Sequence, residues 1–468
     1  MKKLFYSIVV MMVFSMVLSM NTLAQDCSGS GWIKASPMDY WQDVGAPDFS
    51  AGSVQYVNLA MSGLGDLYIA YSDSANGYKV CVKKFDGANW IPIGPSGGFS
   101  SGRADYVSLA LDPADVPFVA FSDATQGYKA TVMKYNGPGW INVGQAGITA
   151  DTASYISLAI NNIGQPFIAF EDFYNSKMAT VLKYTLSGWT TVGMKGFSAG
   201  QIQFTSMAFD SLNRPNVVYT DIANANGATL MRYDTAWNTV GPAGFSPGRA
   251  TFPCLAFNHF HQPNVAFSDW SNTMKGSLMN FNGTDWIPVG SLGFTSGPIN
   301  YTSLAFAPNG RPAIAYMDGA NGQKASAMTF TGATWNLLAN SGFSDGKATF
   351  TDITFNLTGQ AIVGYQDLGN SGKATVKEFT VATGFNDLQN PTLDIYPNPV
   401  SDKMVIDLKK IAGTNTNIQI FDLTGKKVAD MNINDGLLKL NVENYPSGLY
   451  FIRVSTDKST YTGKFLKK

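Results

Sequence analysis

WIPIGPSGGFSSGRADYVSLALDPADVPFVAFSDATQGYKATVMKYNGPG, running from Trp90 to Gly139, holds a short tryptophan-led strand, a glycine-rich connection and three apolar strands separated by turns. The later strands read YVSLAL (106–111), PFVAFSD (117–123) and KATVMKY (129–135), each with alternating or nearly continuous apolar residues, the pattern of a half-buried or fully buried strand. Pro117 opens one of them, the strand position where a missing N–H costs least, and Pro166, Pro215, Pro263 and Pro312 repeat the device. No 3.6-residue periodicity interrupts the pattern, which excludes a helical solenoid.

Outward from this stretch the same unit recurs along the chain. Trp41, Trp90, Trp140, Trp189, Trp237, Trp286 and Trp335 follow one another at 49, 50, 49, 48, 49 and 49 residues. The connection after each has the form GFSxG; Phe49, Phe99, Phe197, Phe245, Phe294 and Phe343 fill its aromatic slot, and Ile148 is the aliphatic exception. Four short antiparallel strands in about 45–50 residues, repeated, make a propeller blade. The expected fold is all-β: a seven-bladed β-propeller of four-stranded blades, followed by a small C-terminal β-sandwich. The first tryptophan strand precedes the first triplet of inner strands, and none follows the last triplet, which ends at Phe379. The Trp41 strand is therefore expected to pair with the seventh triplet and close the ring, removing two open sheet edges. The tryptophans are read as packing residues, each able to bury ~150–250 Å².

The ends of the chain carry different signals. Lys2 and Lys3, the apolar run Leu4–Met20 and the small residues before Ala24 have the order of a secretory leader cleaved after residue 24. Later segments fall short of the ~18 apolar residues of a spanning helix, so no transmembrane segment is expected in the mature chain. The expected domains are a signal peptide over 1–24, a leader over 25–40, the propeller over 41–380, a linker over 381–392 and a C-terminal module over 393–468. Within that module, strands are expected at 404–408, 418–423, 437–442 and 449–454. Its segments LDIYPNPV (393–400), IFDLTGKKV (420–428), YPSGLYFIRV (445–454) and KFLKK (464–468) resemble, in order and spacing, the type A sorting domain of the type IX secretion system. The resemblance implies a Gram-negative bacterium of the Bacteroidota, Sec export followed by passage across the outer membrane, the type IX machinery as partner, and an extracellular or surface location. It also implies removal of the module, with the protein anchored to the surface or released.

Composition narrows the chemistry. Charged residues are 14% of the chain and the formal charge is −1, so no electrostatic partner is indicated, and without a basic stripe nucleic acid is not a partner. Cys27, Cys81 and Cys254 are too scattered for a disulfide framework. Dinucleotide, P-loop and EF-hand spacings are absent, and no cofactor is expected.

One pattern could form a site. The turn after the second inner strand carries Asp73, Asp123, Asp172, Asp221, Asp269, Asp318 and Asp367, on the same face as the GFSxG connections. Lys79, Lys129, Lys275, Lys324 and Lys373 stand six residues later; the third copy has Lys177 at plus five and the fourth has Gly227. Each aspartate either caps its own hairpin turn or forms, with the lysine and the nearby phenylalanine, one of up to seven pockets for a polar ligand such as a glycan. Catalysis has less support. His259 and His261 share one turn without a third group to orient them, Arg103 and Arg249 lie three blades apart, and Arg214 and Arg311 fall on the opposite face. No metal site is expected. The sequence thus points to a secreted binding or interaction module, lectin-like and adhesive, with glycans or a surface protein as partners. A hydrolase using loop-face carboxylates and a purely structural surface component are the alternatives.

Overall fold

The computed structural model describes residues 39–381, 393–408, 416–422, 426–433, 437–456 and 460–468. The expected signal peptide and Cys27 lie outside the described residues, as do the 25–40 leader and the 381–392 linker apart from their edges. Two compact units hold the chain, one over Met38–Ala382 and one containing Thr383–Lys468.

The first unit is a seven-bladed β-propeller. Its blades are seven four-stranded antiparallel sheets, each ordered from an inner strand outward to a tryptophan strand. Blade 1 comprises Val54–Met61, Leu67–Asp73, Lys79–Phe85 and Trp90–Pro92. Blade 3, which becomes important below, comprises Ala153–Ile160, Pro166–Asp172, Met178–Thr185 and Gly188–Thr191. The second strand is buried at nearly every position in every blade, because neighbouring blades cover both of its faces; this is why it reads as continuous apolar sequence.

Blade 7 is assembled from both ends of the repeat. Strand Tyr40–Asp43 pairs antiparallel with Lys373–Thr380, with Trp41 opposite Phe379 and Asp43 opposite Lys377. A 2.7 Å ion pair between Lys377 and Asp43 fixes that register. The expected closure is present, and every blade has the same four strands.

The tryptophans stitch each blade to its neighbour. Trp140 Nε1 donates to the Ile93 carbonyl at 2.7 Å, and the other six indoles make the same bond, from Trp41 to Leu338 through Trp335 to Val289. The residue after that carbonyl must be small and left-handed: Gly94 has φ +90°, and a Cβ there would lie 2.8 Å from the Trp140 ring. On the indole's other side six phenylalanines stack at 3.9–4.7 Å. Burying such a ring is worth at most ~4–6 kcal/mol at ~25 cal/mol per Å².

The C-terminal unit has two antiparallel sheets around a common core that includes Val400, Ile406, Ile418, Ile452 and Phe465. One sheet contains Asp394–Tyr396, Lys403–Asp407 and Leu437–Asn441; the other contains Thr416–Phe421, Lys427–Ile433, Gly448–Ser455 and Thr460–Lys467. Three of these strands, 394–396, 427–433 and 460–467, go beyond the four expected from sequence. The first and last motifs of the unit are bonded together: Val400 N–H donates to Leu466 O at 2.8 Å, and Lys468 N–H returns to Val400 O at 2.9 Å. Asn398 bridges the same two segments through Lys464 O and Leu466 N–H.

Candidate functional site

The repeated aspartates come first. Asp73, Asp123, Asp172, Asp221, Asp269, Asp318 and Asp367 end the second strand of successive blades, are at most 3% exposed, and each caps a single turn of 3-10 helix. One carboxylate oxygen accepts the N–H of the residue two positions on, at 2.9–3.2 Å. In blades 2 to 6 the other accepts a hydroxyl from the third strand: Thr131, Thr180, Thr229, Ser277 or Ser326. In blades 1 and 7 it is the incoming loop that donates backbone N–H groups, from Ala51 and Gly52 and from Asp345 and Gly346. The hydroxyl of the GFSxG serine or threonine accepts a third-strand N–H of the preceding blade, as Ser100 does from Val80 at 3.0 Å. These polar residues therefore join strand, turn and loop.

In the six copies that keep the phenylalanine, the aspartate and the phenyl ring of the pocket that the spacing allowed are each engaged within the propeller. The carboxylate lies under its turn and the phenyl ring under its indole, while Lys79, Lys129, Lys275, Lys324 and Lys373 are half-buried at the start of the third strand. No ion pair joins these lysines to the aspartates among the described residues. Lys177 and Gly227 mark the copies that depart from the pattern. The arginines do not converge: Arg103 pairs with Asp105 and lies over Tyr78, Arg249 lies over Trp270, and Arg214 is held by Asp210 and Asp234. His259 packs on Phe260, and among the described residues no group of three or more His, Cys, Asp or Glu is placed to hold a metal.

What the ring does bring together is a set of side chains that spacing did not single out. Each inner strand has a β-bulge, in which two residues oppose one on the second strand. The first bulged residue is aromatic in every blade and holds a left-handed backbone: Tyr56, Tyr106, Tyr155, Phe204, Phe252, Tyr301 and Phe350, with φ between +49° and +55°. That conformation costs a bulky side chain roughly 1–2 kcal/mol and redirects it into the channel. The seven rings form a closed collar in which each touches two neighbours, at centroid distances of 4.5–5.4 Å.

Two residues further on, a polar belt closes the same channel. Asn58, Ser108, Ser157, Ser206 and Ser303 accept the N–H of the inner strand one blade on, and Asp352 completes the circle by accepting Leu59 N–H at 2.7 Å. Cys254 occupies the remaining place, where burial pushes its thiol up to about 11. Collar and belt line a cavity of about 390 Å³. Burial raises the phenols of Tyr56, Tyr106, Tyr155 and Tyr301, so all four stay protonated donors at neutral pH. Three tyrosines are consecutive, on blades 1 to 3, so one arc of the collar is polar. Beside that arc Glu171 is 6% exposed, and burial pushes its carboxyl up to about 7 against the pull of Lys177. The other blades carry Ser72, Ser122, Thr220, Ser268, Met317 and Gln366 at this position.

A closed propeller with an aromatic axial cavity, followed in the chain by a separate two-sheet unit, defines a two-unit, propeller-bearing class of protein. Residues 394–468 match the family described as the secretion system C-terminal sorting domain, and the chain is thereby a cargo of type IX secretion, exported to the cell surface or the extracellular space. Among solved structures, the chain resembles BP39L lectin from Burkholderia pseudomallei, with 16% identity, a TM-score of 0.52, and coverage of 71% of this chain and 97% of that one. It also resembles PorZ, a surface component of the type IX system of Porphyromonas gingivalis, with 14% identity, a TM-score of 0.48 and coverage of 90% of this chain. The match spans 60% of the PorZ chain. The likeness to the lectin shows the fold alone. No curated protein sequence matches the chain.

Proposed function

We propose that the propeller is an extracellular, non-catalytic binding module whose ligand is carbohydrate, taken at the mouth of the axial channel. The collar carries this reading. Aromatic faces above a ring of hydroxyl and amide groups offer both surfaces that a sugar presents, an apolar C–H face and a rim of hydroxyls. The repeated carboxylates do not argue for hydrolysis, since an acid and a base need contrasting environments and the seven caps share one. Asp352 is likewise engaged, by Leu59 N–H and the Ser303 hydroxyl. The lysines at the third-strand starts, Lys79, Lys129, Lys275, Lys324 and Lys373, ring the same face and are proposed as secondary contacts for a longer glycan.

A glycan array and a set of chromogenic glycosides, applied to the same preparation, test the proposal. Retention without turnover is expected. Tyr106→Ala and Tyr155→Ala should each weaken retention about tenfold, the worth of one aromatic contact of ~1.4 kcal/mol. Turnover of a glycoside would instead establish the hydrolase, and silence on both would leave a structural surface component.

A further inference from the structure

We infer that blade 3 holds a second binding site, a side pocket for a single saccharide ring, separate from the axial channel. A device that stabilises the ring must recur in every blade, whereas a ligand site need not, so departures from the repeat are informative. Gly227 is a single departure in blade 4, and the others below fall together in blade 3. Ile148 replaces the phenylalanine that stacks on the tryptophan in the other six, and Asp151 replaces the glycine found at Gly52, Gly102, Gly200, Gly248, Gly297 and Gly346. Met178 takes the place of the strand-start lysine, which moves to Lys177. The turn carries an exposed aromatic pair, Phe173 and Tyr174, the latter 67% exposed.

The substitutions have a geometric result. At the glycine of the other copies a Cβ would strike the turn of the same blade, as Gly102 would meet Thr125 Cγ2 at 2.6 Å. Asp151 carries that Cβ, while the bond linking loop to turn, Phe173 N–H to Thr152 O, is kept at 3.2 Å against 2.8–3.1 Å in the other blades. Trp189 has no stacked phenylalanine; its ring contact is a tilted one with Tyr184 at 5.5 Å. Beside the indole lies a cavity of about 340 Å³ whose wall includes Thr149, Asp172, Asn175, Thr180, Trp189 and Lys195.

The lining selects the ligand class. The volume is at the small end for ligand pockets and suits one sugar ring rather than a nucleotide. The Asp172 carboxylate in the wall is already held by Tyr174 N–H, the Asn175 amide and the Thr180 hydroxyl, so the wall offers a ligand hydroxyl, amide and ammonium groups with no bare carboxylate. An indole face opposite a polar wall fits a neutral ring with one C–H face and several hydroxyls. The inference rests on the carbohydrate reading but places this ligand at the rim.

Ile148→Phe restores the plug of the other blades and is the decisive variant; Lys195→Ala, at an exposed side chain, is the second. The probes are methyl α-L-fucoside, methyl β-D-galactoside, methyl α-D-mannoside and methyl N-acetyl-β-D-glucosaminide, read with the full chain by saturation-transfer NMR and calorimetry. The expected result is, for at least one glycoside, a binding event at one site that is weakened tenfold or more by Ile148→Phe at unchanged Tm and several-fold by Lys195→Ala, and that Tyr106→Ala leaves in place. Equal binding by Ile148→Phe and the wild type overturns the rim site and leaves the channel reading to its collar variants. If none of the four glycosides binds the wild type, the rim site falls, while array retention that depends on Tyr106 still upholds the channel.

Discussion

At the scale of single residues, the aspartate at the end of the second strand recurs in every blade, and in Asp318 it holds three hydrogen bonds. Removing it takes away the acceptor that these donors share. Asp318→Ala leaves the N–H of Ala320, the Asn321 amide and the Ser326 hydroxyl without their common partner and should cost roughly 2–4 kcal/mol by urea denaturation. Its effect on glycan retention should be no larger than the lost stability explains; a variant of normal stability that no longer binds would return the aspartates to the ligand site. Glu171 behaves in the opposite sense. Its folded pKa lies near 7 against an ordinary 4.5, so the folded chain holds this proton more tightly than the unfolded one. Stability from this group is greatest below pH 4.5, falls as pH rises toward 7, and is flat beyond. Tm measured from pH 4 to 9 should therefore fall across that window relative to Glu171→Gln, and parallel curves would show that the carboxyl is not buried. The aspartates were legible in the sequence because they recur every 48–50 residues. Their role was not, because a cap and a ligand group have the same spacing, and only burial and bonding partners separate them.

At the scale of elements, the tryptophan strand and its phase carried the fold. The seven indoles are large and evenly spaced, and one strand out of step at the start matched one missing at the end; pairing of Tyr40–Asp43 with Lys373–Thr380 follows from that count. The collar escaped the same inspection, although Tyr56, Tyr106, Tyr155, Phe204, Phe252, Tyr301 and Phe350 recur just as regularly. An aromatic residue in a strand reads as ordinary core, and a bulge that turns it into the channel leaves no mark on hydrophobic alternation. A strand contributed from the far end of the repeat should be as integral as any other. Trp41→Ala is expected to cost ~3–5 kcal/mol, close to Trp286→Ala inside the continuous part of the ring, as judged by denaturant midpoint. Deleting residues 40–43 should in addition expose the edge of Lys373–Thr380 and produce self-association visible by size-exclusion chromatography. A neutral Trp41→Ala would mean that blade 7 stays open in solution.

At the scale of the whole molecule, the two units have separate cores and separate tasks. The sorting unit was recognisable because its motifs are linear, yet what joins them is not: LDIYPNPV and KFLKK lie some seventy residues apart and meet through Val400, Asn398 and Leu466. An export signal built in this way is a folded surface rather than a tail of basic residues. Asn398→Ala should therefore impair export by loosening the last strand, whereas Lys468→Ala, which keeps the Val400 contact through its backbone, should matter less. Truncation before residue 394 removes the unit outright; because blade 7 is completed by residues 40–43 and 373–380, the propeller should keep its Tm to within a few degrees. In a type IX-secreting bacterium that truncated chain is expected to accumulate in the periplasm, folded and competent to bind. Cell fractionation with the full chain, Asn398→Ala and the truncation side by side distinguishes the cases. Equal surface delivery of all three would show that export reads something in the propeller itself, and the division of labour between the two units would have to be abandoned.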